Sequence, residues 1–150
     1  RYWSTTPYLF GPDRAAKYSI VPTSAYSSRL PDKPSDSYLA DNLERHLDRA
    51  DATFDFLVQL RTDPASMPIE DAAVEWREGE APFVKVATLR IPRQRFRTAE
   101  RDELAEALAF SPAHARVEHR PIGGVNRARM RVYREQAGFR QKRDGRKRVT

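Results

Sequence analysis

The residues of this sequence best suited to chemistry form an arginine–tyrosine–arginine row near its C-terminal end. They are Arg129, Tyr133 and Arg140, within the segment 126–140. On a helix that turns about 100° per residue, Tyr133 lies about 40° and Arg140 about 20° from Arg129, so the three side chains share one face. Three other arginines of the segment lie about 140° to 160° away and form a second basic face.

This row could stabilise an anionic phenol oxygen. A guanidinium one helical turn before a tyrosine can donate hydrogen bonds to the phenol oxygen and favour the phenolate in a dry site. A phenolate held in this way is a hard anionic ligand for ferric iron. A second arginine two turns further along could bind a carboxylate, such as a haem propionate, in bidentate geometry. The residues alone favour a simpler interpretation, in which Tyr133 is a core aromatic and its arginine neighbours are surface charges.

Other catalytic signals are weak. The sequence has no cysteine, which excludes disulfides, Cys-ligated zinc, iron–sulfur clusters and thiol catalysis. His46, His114 and His119 lack the spacing of metal ligands, and Gly123-Gly124 lacks the rest of a dinucleotide-binding motif. These residues therefore predict no second site.

Length and charge describe one basic domain. The chain has 150 residues, is 39% hydrophobic and carries a formal net charge of +6. Residues 120–150 hold +9 of this charge, whereas the first 119 residues sum to −3. Such a basic end is typical of sequences that seek polyanions, so a small nucleic-acid-binding module using the C-terminal Arg-rich helix is the alternative function. No apolar run approaches the roughly 20 residues that a membrane span needs.

The first half of the chain predicts a hairpin, a loop, a helix and a strand. Residues 8–21 form the hairpin and residues 22–36 the loop, while Asp36 is the expected N-cap of a helix over about 37–49. Apolar and polar residues alternate over 52–61, which predicts a strand with one buried face.

The second half predicts a further strand and two helices. Residues 72–76 form a short helical turn or a bridging segment, and the strand 83–91 is apolar enough to be covered on both faces. Thr98 opens a helix over 99–108, and Asn126 is the candidate cap of a last helix that reaches about Phe139. Without regular strand–helix–strand alternation, the expected fold class is α+β with antiparallel pairing.

Five motifs in order resemble the C-terminal half of the haem catalase superfamily, and most closely its shorter catalase-like proteins. They are Phe54-Asp-Phe-Leu-Val-Gln59, the acidic segment Pro68–Trp76, Ala81-Pro82 with the strand that follows, Phe110-Ser111-Pro112, and Arg129-Met-Arg-Val-Tyr133 with Arg140 seven residues later. The resemblance runs in order from about residue 52 to 140 and more loosely back to Tyr8.

The resemblance implies a haem site. In the family, the tyrosine of the Arg-x-x-x-Tyr motif is the proximal iron ligand. Tyr133 would therefore be the metal ligand and Arg129 its catalytic partner, with b-type haem and iron as cofactors. Arg140 would bind a propionate, and Val125 and Val132 would pack near the porphyrin. The implied fold is part of an antiparallel catalase-like β-barrel with flanking helices and a C-terminal haem-proximal helix.

The resemblance also implies the substrate. It would be hydrogen peroxide or an organic hydroperoxide such as a lipid hydroperoxide, so the chain would belong to a haem-dependent peroxidase or catalase-like oxidoreductase. Arg131 stands where typical catalases have Phe, and Arg134-Glu135-Gln136 stands where they have Pro-Asp-Thr. These departures favour the catalase-like proteins, which include peroxidases and enzymes that rearrange fatty-acid hydroperoxides, over true catalases.

The resemblance covers only the proximal half of the family's haem site. The family's distal His lies in its N-terminal half, which no segment here matches. We therefore expect residues 1–150 to be the C-terminal portion of an incomplete catalase-like domain with a basic tail at 141–150, inactive by itself. We expect a soluble protein, cytoplasmic or periplasmic. Nucleic acid is the less favoured partner, and the sequence is compatible with a homo-oligomer.

Overall fold

The fold is an open antiparallel sheet with helices around it. The computed structural model describes residues 1–143 and residue 145. The strands are β1 (Tyr2–Trp3), β2 (Tyr8–Leu9), β3 (Ala15–Pro22), β4 (Ala52–Leu60) and β5 (Val84–Ile91). The helices are α1 (Tyr38–Arg49), α2 (Ala99–Ala107) and α3 (Gly124–Arg143), with a short 3₁₀ turn at Val117–His119. This mixture confirms the predicted α+β class and antiparallel pairing.

The sheet does not close into a barrel. Its order is β1-β3-β4-β5, and β2 pairs with β3 beside β1. The hairpin prediction is confirmed, because Tyr8 pairs with Ala16 in an antiparallel register. In the described part of the chain, β5 forms one edge of the sheet, and β1 and β2 form the opposite edge. The predicted barrel is therefore represented here only by an open sheet.

Aromatic side chains contact one another along one face of the sheet. The ring centroids of Tyr8 and Tyr18 are 5.3 Å apart, as are those of Tyr18 and Phe56. This arrangement follows from the register, which places Tyr18 opposite Val58 and Ile20 opposite Phe56. The alternating pattern of residues 52–61 is thus confirmed as a strand, and Val58 is buried.

The opposite side of the sheet is held to the segment 67–81 by one buried amide. The Nε2 atom of Gln59 donates to the carbonyl oxygens of Trp76, at 2.8 Å, and Ala81, at 2.9 Å. Trp76 and Ala81 belong to a buried cluster with Met67 and Ala15. Residues 72–76 form turns rather than a helix, so the bridging alternative is the correct one.

Three predictions about the helices and β5 need correction. The helix α1 begins after Ser37 rather than Asp36, although Ser37 makes no side-chain cap hydrogen bond. The first strand residue of β5 is Val84, and seven of its eight residues are exposed. The predicted cover on both faces was wrong because β5 is an edge strand that pairs only with β4. The helix α3 begins at Gly124, ahead of the predicted cap Asn126.

Candidate functional site

The backbone conformation of Gly123 allows helix α3 to begin at the next residue. Gly123 has a φ of +88°, and a Cβ atom there would lie 2.6 Å from the carbonyl oxygen of Ile69. The Glu70 carboxylate accepts a hydrogen bond from the backbone N–H of Gly124 at 2.8 Å. Because helix N-termini attract negative charge, this carboxylate stabilises the first turn. It also forms a two-pronged salt bridge with Arg127, at 2.9 and 3.1 Å.

Asn126 does not cap the helix. It lies inside the first turn, and its side chain is completely buried. Its Nδ2 atom donates to the carbonyl oxygens of Pro7 and Ile122, each at 2.8 Å. Asn126 therefore joins α3 to the chain segment before β2, a role that the local sequence pattern could not distinguish from capping.

Arg129 lies where α3 meets that segment. Its Nη1 atom donates to the hydroxyl of Thr6 at 3.1 Å, to Oδ1 of Asn126 at 3.2 Å, and to the Tyr8 hydroxyl at 3.5 Å. All three acceptors are uncharged. Among the described residues, no Asp or Glu forms a salt bridge with Arg129. Its positive charge is thus not neutralised by any carboxylate of residues 1–143.

Tyr133 lies one turn further along α3, beside Arg129. The guanidinium carbon of Arg129 is 5.7 Å from the centroid of the Tyr133 ring, a cation–π distance. Burial tends to lower the pKa of Arg129, but the neighbouring Tyr133 and Tyr8 hydroxyls outweigh this effect and hold the pKa above its usual value. Arg129 is therefore a permanent cation next to a phenol.

Tyr133 and Arg140 face one cleft. This open cleft has a volume of about 260 Å³ and apolar walls. The residues that line it come from the end of the α2 region and from α3: Ala109, Phe110, Val132, Tyr133, Gln136, Ala137 and Arg140. Tyr133 is 39% exposed there. The cleft therefore combines a phenol, a guanidinium and an apolar surface.

Arg140 has unused hydrogen-bonding capacity in this cleft. Its Nη2 atom donates to the carbonyl oxygen of Leu108 at 3.0 Å. Its Nε atom is buried and has no hydrogen-bond partner among the described residues. Because a buried donor without a partner is costly, this atom calls for an explanation.

The remaining predicted site residues differ in where they lie relative to the cleft. Val132 lines the cleft and is 55% exposed, whereas Val125 is exposed in the first turn and does not line it. Arg131 and Arg134 are exposed on α3. Most of the basic tail, residue 144 and residues 146–150, lies outside the described residues. The nucleic-acid alternative accordingly stays a prediction.

The histidines do not join the cleft. The His46 ring stacks on Tyr26 at 4.3 Å and its Nε2 lies 3.2 Å from the carbonyl oxygen of Asp51. The His119 ring lies against Phe10 at 5.8 Å. Within residues 1–143 and 145, no group of three or more His, Asp or Glu side chains could hold a metal ion. None of the helices described has the length and apolar character needed to cross a bilayer.

Comparison with known proteins identifies the fold. No protein-family model matches the chain, and no curated protein does either. Among solved structures, the chain is similar to a fungal catalase determined at 1.9 Å, with a TM-score of 0.68 and 16% sequence identity. The match covers 92% of this chain. The chain has a catalase-like fold.

The catalase-like region is only part of the matched molecule. The chain spans 30% of the length of the fungal catalase chain. At 16% identity the likeness concerns the fold, and it does not carry the cofactor or the activity of that catalase to this chain. It does support the fold implied by the sequence resemblance.

The sequence pattern did not indicate several residues that shape the candidate site. Thr6, Tyr8 and Asn126 hold Arg129, and Glu70 holds the start of α3. The contact between Thr6 and Arg129 joins residues 123 positions apart, so no local spacing could indicate it. Phe110 belongs to the Phe-Ser-Pro motif, but nothing in that motif indicates that it lines the same cleft as Tyr133.

Proposed function

We propose that this chain is the haem-proximal part of a catalase-like protein that acts on hydrogen peroxide or organic hydroperoxides, with Tyr133 as the iron ligand. The observation that carries the proposal is the cleft shared by Tyr133 and Arg140, with Arg129 beside the phenol. An uncompensated cation next to a phenol favours the anionic phenolate, which binds ferric iron. The catalase-like fold agrees with this assignment.

The residues present fit a haem group. A haem has apolar faces and two carboxylates, and this cleft has apolar walls and a guanidinium. The unpartnered Nε of Arg140 is a donor that a propionate oxygen would satisfy. Val132 and Phe110 would supply apolar contact, whereas Val125 does not line the cleft. The fit thus rests on Tyr133, Arg140 and their apolar neighbours.

Each residue then has a distinct task. Bound ferric haem supplies the redox chemistry that cleaves the O–O bond of a peroxide. Tyr133 would hold the iron through its phenol oxygen. Arg129 would place a positive charge beside that phenol, because its hydrogen-bond acceptors are uncharged. Arg140 would hold one carboxylate of the group.

The proton-transfer half of the reaction is not assigned to this chain. A peroxide needs an acid–base group that moves a proton between its two oxygens. The His46 ring stacks on Tyr26 and the His119 ring contacts Phe10, and neither histidine lines the cleft. We therefore propose that a longer protein containing this chain supplies the distal group, and that residues 1–150 alone bind haem without turnover.

Haem titration of the purified chain tests the proposal. Ferric haem added to the wild-type chain should give the absorption spectrum of a ferric tyrosinate, and Tyr133→Phe should abolish that spectrum. Tyr2→Phe is the matched control, because Tyr2 is an exposed tyrosine in β1. Arg140→Leu should keep the spectrum but weaken binding by roughly tenfold or more, the effect of losing a charged hydrogen bond.

Three results would count against the assignment. If the tyrosinate spectrum survives Tyr133→Phe, another residue is the ligand. If Tyr2→Phe removes the spectrum as completely as Tyr133→Phe does, the effect reflects general damage rather than loss of a ligand. A wild-type chain that binds no haem at micromolar concentrations would contradict the proposal for this chain as a whole.

A further inference from the structure

The buried amide of Asn126 has a fixed orientation. Its nitrogen lies 2.8 Å from each of two backbone carbonyl oxygens, those of Pro7 and Ile122. Carbonyl oxygens only accept hydrogen bonds, so the NH₂ end of the side chain must face them. The amide oxygen therefore faces the other way, toward Nη1 of Arg129 at 3.2 Å.

This orientation gives Arg129 a neutral and rigid acceptor. Asn126 is 0% exposed and Thr6, the second acceptor, is 2% exposed. Both positions are thus shielded from water, which would otherwise compete for the guanidinium. A carboxylate at either position would form an ion pair with Arg129 and compete for its charge with the Tyr133 oxygen.

We propose that Asn126 is a positioning residue, which holds the Arg129 guanidinium against Tyr133 while leaving its positive charge available to the phenol. The use of this charge at an iron-binding phenol rests on the proposed function. The positioning of Arg129 by Asn126 does not, because it is a property of the protein without haem. Asn126 thereby links three parts of the fold: the segment before β2, the turn before α3 and the Arg129 guanidinium.

Two variants of Asn126 separate positioning from support of the fold. Asn126→Ala and Asn126→Asp both lose the amide donors to Pro7 and Ile122, but only Asn126→Asp keeps an oxygen beside Arg129. In the chain without haem, NMR would measure the exchange of the Arg129 guanidinium protons with water. Asn126→Ala should speed this exchange by about tenfold, the expected effect of one lost charged hydrogen bond, and Asn126→Asp should leave it near the wild-type rate.

The haem-loaded chain supplies the second readout. Both variants should weaken the ferric-tyrosinate spectrum: Asn126→Ala because Arg129 is no longer held, and Asn126→Asp because the new carboxylate competes for its charge. If Asn126→Ala fails to fold, Thr6→Val takes its place, since it removes the other buried acceptor while Thr6→Ser keeps the hydroxyl as a control. Thr6→Val should then speed the exchange and Thr6→Ser should not.

The outcomes distinguish this inference from the proposed function. Equal acceleration in Asn126→Ala and Asn126→Asp would mean that Asn126 only supports the fold, and would overturn the inference whatever haem does. Faster exchange in Asn126→Ala alone, in a chain that binds no haem, would support the positioning and reject the haem assignment. A normal tyrosinate spectrum in both variants would overturn the claim that Asn126 preserves the charge for Tyr133.

Discussion

Replacing Gly123 by alanine should destabilise the start of α3, where the arginine–tyrosine row is anchored. Gly123 has a φ of +88°, which side chains with a Cβ rarely adopt. The new Cβ would also lie 2.6 Å from the carbonyl oxygen of Ile69. That oxygen belongs to the backbone, so relief requires movement of the segment around Ile69 or of the helix itself.

The expected loss follows from these two effects. The left-handed conformation costs an L-residue roughly 1–2 kcal/mol. Steric overpacking typically adds about 1–3 kcal/mol. We therefore expect Gly123→Ala to lower the free energy of unfolding by about 2–5 kcal/mol, a large fraction of the stability of a small domain.

Gly138 provides the matched control within the same helix. A Cβ added there would meet nothing within 4 Å. Since alanine is a better helix former than glycine, Gly138→Ala should raise the free energy of unfolding by about 0.5–1 kcal/mol.

Urea unfolding followed by tryptophan fluorescence measures both changes, because Trp76 is buried in the folded chain. A Gly123→Ala variant within about 0.5 kcal/mol of wild type, the usual range of neutral surface changes, would refute the reasoning. So would equal destabilisation by Gly138→Ala.

Two further predictions concern contacts around the site. Gln59→Leu keeps most of the side-chain volume but leaves two buried carbonyl oxygens without a hydrogen-bond donor. The free energy of unfolding, measured by urea denaturation, should therefore fall by about 2–4 kcal/mol. An unchanged urea midpoint would contradict this. Hydrogen bonds from Arg127 hold the pKa of Glu70 below its usual value, so the stability it contributes is present at neutral pH and is lost as the pH falls through that lowered pKa. The stability difference between wild type and Glu70→Gln should therefore shrink below about pH 4.3, and a difference independent of pH would count against the Glu70 contacts.

Local pattern was enough to locate most elements. Alternation over 52–61 located β4, and Thr98 marked the start of α2, where its hydroxyl accepts a hydrogen bond from the N–H of Arg101. These features depend on neighbours within a few residues, so the sequence carries them directly. The surroundings of β5 could not be obtained in this way. The apolar residues of a strand indicate that burial would be favourable. Whether another element covers them depends on the rest of the fold.

The same division holds for the candidate site. The helical period alone places Arg129, Tyr133 and Arg140 on one face of α3. Whether Tyr133 is the iron ligand and Arg129 its partner stays a prediction, as does the role of Arg140. The tertiary structure adds that Tyr133 and Arg140 share a cleft and that Arg129 contacts the Tyr133 ring.

The sequence by itself determined the arginine–tyrosine–arginine row, because helical spacing is a local property of the chain. Only the tertiary structure decided which partners that row would have. Asn126 and Thr6 reach Arg129, and Glu70 reaches the start of α3, through contacts that span between 3 and 123 positions. The chemistry of Arg129 depends on these contacts, since an acidic partner in place of a neutral one would neutralise its charge. That choice is made by folding, which brings distant segments together, and not by the order of residues along α3.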